Sequence, residues 1–135
     1  MPREGHLRGF AAGTMSERDW MALAETVVGT TFEDLPPALR EKARAVPVLL
    51  EEEVPDPLIE EGWPGDLLGF FEGDPVGIPA GEGTPTRIRL FLANLRAYAG
   101  DDAEVFAEEV RVTLLHELGH FLGMEEEDLE ERGIG

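Results

Sequence analysis

Cysteine is absent from the sequence, which excludes disulfides, thiolate metal sites and cysteine nucleophiles. Histidine is scarce, at three residues (His6, His116 and His120), so a metal site has to combine these with carboxylates. Basic residues are few: 11 Lys and Arg stand against 29 Asp and Glu, a formal net charge of −18. That balance argues against nucleic acid, which requires a basic face, and against anionic membrane surfaces. Glutamine is missing, asparagine occurs once (Asn94), and lysine occurs once (Lys42). Loss of thermolabile amides and thiols fits a thermophile, although near-absence of lysine does not, and GC-biased codon usage gives the same picture. No apolar run reaches the roughly 18 residues of a membrane-spanning helix. The patch Gly9–Ala12 is too short for the apolar region of a signal peptide. A cytoplasmic location is the expectation.

What remains is a chain of 135 residues, 42% hydrophobic and 30% charged, a size that buries one modest core. Residues 1–14 read as a loosely ordered extension and 15–135 as a single domain. From Ser16 to about Val28, the residues Trp20, Leu23, Ala24, Val27 and Val28 share one helical face, with Ser16 and Asp19 spaced as a capping box. Gly29-Thr30-Thr31 is expected to end that helix. A short helix follows from Pro36-Pro37 to about Ala43. Val46–Glu51 reads as a strand, with Pro47 at its start or on a sheet edge. Residues 53–86 read as loop around one short strand at Leu67–Phe71. Arg87 and Arg89 alternate with Ile88 and Leu90, the period of a half-buried strand. A helix near Ala93–Tyr98 stops at Gly100, and Asp101-Asp102 caps a long helix that runs to Gly123. The two tryptophans, Trp20 and Trp63, read as packing residues. The mixture predicts an α+β fold.

Inside the long helix stands His116-Glu117-Leu118-Gly119-His120, which matches HExxH. Histidines four apart project from one helical face, so both imidazoles reach a single ion. Glu117 lies on the neighbouring edge of that face, placed to take a proton from a metal-activated water. Leu114, Leu115, Leu118, Phe121 and Leu122 surround the trio, and polar groups in such company are costly without partners.

A tetrahedral catalytic site needs a third protein ligand and an open position. Gly123 is suited to a left-handed turn that sends the chain back toward the metal. Glu126 then falls at the last position of HExxHxxGxxE, where metzincin-type peptidases place their third ligand. Glu125, Glu127 and Asp128 are rivals one or two positions away, and the whole acidic run also reads as a charged helix start. His6 and Asp74 have no spacing argument. Metzincins carry a methionine turn well downstream, whereas Met124 comes too early here. Gluzincins take their third ligand from a later helix, and 15 residues follow His120 in this sequence.

From about Met15 onward the chain resembles a family of small bacterial zincin-like metallopeptidases first catalogued as a domain of unknown function. The likeness rests on Val46–Glu53, on Leu67-Leu68-Gly69-Phe70-Phe71-Glu72-Gly73, and on Arg87-Ile88-Arg89-Leu90-Phe91. Its most specific part is Val110–Met124, which contains the HExxH. Members typically carry an acidic residue, most often Asp, where Glu126 stands. The resemblance implies a compact, minimal zincin-like fold, with a small sheet packed on the HExxH helix. It also implies a Zn2+ site of His116, His120 and Glu126.

Zinc at such a site lowers the pKa of its water toward about 7 and polarises a scissile carbonyl. Glu117 is then the general base and later the proton donor to the leaving amine. An extended peptide or protein substrate is expected to add to an exposed edge strand at Arg87–Leu92 by main-chain hydrogen bonding. Arg87 and Arg89 are its candidate contacts, against the plain alternative of two solvated strand arginines. Arg96 and Tyr98 are candidate oxyanion stabilisers without a spacing argument. A different class of function is a metal-stabilised binding module with an acidic surface and no catalysis. The sequence leaves the oligomeric state open.

Overall fold

The computed structural model describes residues 15–73 and 86–122. Helix α1 spans Glu17–Glu33, α2 Pro37–Ala43, strand β1 Val48–Glu51, and α3 Asp56–Glu60. Strands β2 (Gly69–Glu72) and β3 (Arg87–Phe91) follow, then α4 (Leu92–Tyr98) and the long α5 (Ala103–Phe121). The elements form an α+β fold, with a three-stranded sheet of order β1-β3-β2.

The helix starts are set locally. The Ser16 hydroxyl accepts from the Asp19 N–H at 3.1 Å, and the Asp19 carboxylate accepts from the Ser16 N–H at 3.0 Å. The Asp102 carboxylate accepts from the Val105 N–H at 3.0 Å and caps α5. Where α1 ends is set by tertiary packing, and it differs from the expected stop at Gly29. Thr30 and Thr31 turn their hydroxyls back onto the carbonyls of Thr26 and Val27. Thr31 is buried and Phe32 packs against the core, which carries the helix to Glu33. The Pro/Gly-rich segment, expected to be loop here, also holds a helix. It starts at Pro55-Asp56-Pro57, where proline suits a first turn.

Strand β3 runs parallel to β1 (Val48↔Ile88, Leu50↔Leu90) and antiparallel to β2 (Gly69↔Leu90, Phe71↔Ile88). The expected edge strand at Arg87–Leu92 is therefore the centre of the sheet, paired on both sides. Its alternation has another cause. Ile88 and Leu90 are fully buried on the face covered by the helices, and Arg87 and Arg89 occupy the opposite face. There Arg89 makes a bidentate pair with Glu51, at 2.6 and 3.0 Å, and Arg87 pairs with Glu72. The alternating charges thus mark a cross-strand ion-pair row.

The main core lies between the sheet, α1 and α5, with Trp20 edge-on to Phe106 at 4.9 Å. A smaller cluster of Val54, Leu58, Phe91, Leu67 and Phe70 covers the second face, where Trp63 packs on Phe70. Asn94 ties its loop down by donating to the carbonyls of Gly65 and Leu67. Among the described residues no helix is long and apolar enough to cross a membrane.

Gly69 governs how closely β2 approaches α5. A Cβ there would stand 2.7 Å from the Thr113 Cγ2 and 3.2 Å from a Leu90 methyl. Thr113 is buried and β-branched within a helix, so its rotamer has little freedom to yield. Gly69→Ala is expected to cost about 1–3 kcal/mol by overpacking, read as a lower midpoint in chemical denaturation. Adding Thr113→Ser, which removes the struck methyl, should recover most of that loss.

Candidate metal centre

Near the C-terminal end of α5, His116, Glu117 and His120 present ligand atoms that lie within 4.8 Å of one another. The helical repeat places the two imidazoles one turn apart, with ring centroids 4.8 Å apart. Leu114, Leu115, Leu118 and Phe121 are buried around them, as the pattern predicts. The two kinds of donor sit differently. The His120 side chain is 49% exposed, whereas that of Glu117 is 11% exposed and lies 3.5 Å from the His120 Nδ1.

Burial in this apolar setting raises the Glu117 carboxyl above the usual glutamate range. The neighbouring His116 and a hydrogen bond from the Phe71 backbone act in the opposite direction. That backbone contact ties β2 to the site. The Phe91 N–H donates to the Leu68 carbonyl at 3.0 Å, which fixes the antiparallel hydrogen-bonding phase. Leu68, Phe70 and Glu72 therefore turn their main-chain groups toward β3, while Gly69 and Phe71 turn theirs outward. Among the described residues no further strand pairs with that outer edge of β2. Phe71 also sets its ring 6.3 Å from Phe121 on the last turn of α5.

The donor set fits a borderline divalent ion such as zinc, which takes imidazole nitrogen and carboxylate oxygen. A buried carboxylate flanked by two imidazoles also gains from a cation, which offsets its desolvation. His116 and His120 are the residues that would hold the ion. Glu126, its rivals Glu125, Glu127 and Asp128, and the upstream residues His6 and Asp74 lie outside the described residues.

The other sequence candidates are elsewhere. Arg87 and Arg89 are on the sheet face turned away from α5, engaged by Glu72 and Glu51. Arg96 stacks on Trp20 at 5.3 Å and lies 3.8 Å from Asp101, at the start of α5. His116 is about 20 Å further along that helix axis, so Arg96 is remote from the site. Tyr98, exposed in the last turn of α4, is at the same distant end. The backbone of Phe71 is the contact that sequence reasoning missed. Its available signal was Gly69, since glycine within a strand marks a close backbone approach.

A metal ion held by this pair should stabilise the fold by mass action. Zinc at 100 times its dissociation constant is expected to add about 2.7 kcal/mol, seen as a rise in thermal midpoint. His116→Ala should remove that rise while the metal-free midpoint changes little.

A search of curated proteins finds no match to the sequence. The sequence profile of a family described as zincin-like metallopeptidase matches residues 43–135, from the end of α2 through the HExxH helix. The chain belongs to the zincin-like metallopeptidase family.

Proposed function

We propose that the protein is a zinc-dependent peptidase in which His116, His120 and Glu126 hold the ion and Glu117 is the general base. The observation that carries this reading is the setting of Glu117. Its carboxylate is buried beside both imidazoles and touches the outward-facing backbone of β2. A bound zinc ion supplies Lewis acidity toward the attacking water and the scissile carbonyl.

The protein's own residues do the rest. Glu117, whose carboxylate lies beside both imidazoles, is placed to take the proton of the attacking water and return it to the leaving amine. The imidazoles of His116 and His120, fixed one turn apart on α5, orient the centre. Because β3 is the central strand, we assign the docking of an extended peptide to the outer edge of β2. There the Gly69 N–H and carbonyl and the Phe71 carbonyl turn outward, while the Phe71 N–H donates to Glu117. Arg87 and Arg89 hold the sheet together from its other face. The net charge of −18 favours cationic peptides and disfavours nucleic acid.

The test is hydrolysis of an unstructured protein by the zinc-loaded chain. Glu117→Gln should reduce turnover by about 100-fold or more and still retain one zinc per chain. Zinc retention with no cleavage of any peptide by the native chain would favour the metal-stabilised binding module instead.

A further inference from the structure

Strand β1 is the second open edge of the sheet, since among the described residues β3 is its one paired neighbour. The Pro47 carbonyl accepts from the Ile88 N–H at 2.9 Å. That bond sets the parallel phase: Pro47, Leu49 and Glu51 turn main-chain groups toward β3, and Val48 and Leu50 turn theirs outward. The protection of this edge is limited to a length of four residues, Pro47 before it and Glu51 at its end. It carries no lysine, its residues are Val-Leu-Leu-Glu, and Leu49 is 36% exposed.

The two ends of β1 differ in charge. At its start a groove of about 450 Å³ has an apolar floor of Val28, Phe32, Val46 and Val48, and its rim carries two arginines, Arg40 and Arg44, against one acid, Glu33. At its end a groove of about 460 Å³ is lined by Glu17, Glu52 and Glu53, with Arg96. Burial, with the charges of Glu17 and Glu53, raises the Glu52 carboxyl, and Arg96 offsets part of this. The acidic end therefore carries like-charge repulsion that a further cation would relieve.

We propose that β1 pairs antiparallel with β1 of a second copy of this chain, giving a two-fold dimer with a continuous six-stranded sheet. The register follows from the phase. Val48 opposite Leu50 of the other copy, and Leu50 opposite its Val48, satisfies the outward groups with four main-chain hydrogen bonds. Leu49 then meets its own equivalent at the axis, in the close non-hydrogen-bonded pair, and loses its exposure. Antiparallel pairing brings the arginine-rimmed start of one β1 to the acidic end of the other, twice per dimer. Parallel pairing would set like charge against like. A two-fold interface has to be self-complementary, and opposite charges at the two ends of one strand meet that condition. The outer edge of β2 stays open in this arrangement, so the dimer does not depend on the proposed peptidase activity.

The experiment is the solution mass of the full chain by sedimentation equilibrium across protein concentration. The expected result is a species of twice 14.8 kDa. Leu49→Lys, which sets two ammonium groups face to face at the axis, should raise the dimer dissociation constant by about tenfold or more. Arg44→Glu should weaken the dimer as well. Arg44→Glu combined with Glu53→Arg, which exchanges the charges within one chain, should restore it. Leu49, Arg44 and Glu53 are exposed, and an unchanged circular dichroism spectrum in each variant separates loss of pairing from loss of fold. A native chain that stays monomeric at all concentrations would overturn the proposal. So would a dimer indifferent to Leu49→Lys and Arg44→Glu, since it would use another face.

Discussion

The contact that the rest of the structure depends on is the approach of β2 to α5 at Gly69. With no side chain there, the strand lies directly against Thr113, one helical turn before Glu117. Two residues further along, the Phe71 backbone reaches the Glu117 carboxylate. A strand and a helix held at that distance create a buried carboxylate, two imidazoles and an outward-facing strand edge in one place. Any side chain at position 69 would push the strand off the helix and open the site at the same time.

Charge is distributed to fit this arrangement. A net −18 leaves few cations, and the arginines of β3 lie on the face opposite the candidate metal site. There they neutralise Glu51 and Glu72 and bind the three strands to one another across the sheet. Arg96 is placed against Trp20 and near Glu52 and Asp101, far along α5 from the histidines.

Features encoded by near neighbours were legible in the sequence, and those that depend on a distant partner were not. HExxH, its helix, the Ser16–Asp19 box and the Asp102 cap each rest on residues a few positions apart. The end of α1 was misread because Thr31 and Phe32 are held by packing that no local pattern reveals. The alternation in Arg87–Leu90 showed that the strand has two different faces, and could not show that both of its edges are paired. The Phe71 contact with Glu117 spans 46 positions, and only the glycine at 69 hinted at it. The family likeness was carried by Val110–Met124, the segment in which local spacing and chemistry coincide most fully.

The central claim is that His116 and His120, set beside the edge of β2, form a zinc site. Anomalous diffraction at the zinc edge from crystals of the zinc-loaded full chain tests it most directly. One strong peak is expected within bonding distance of both imidazoles, on the side of α5 facing Phe71. A peak bound elsewhere on the acidic surface, with none between the two histidines, would contradict it.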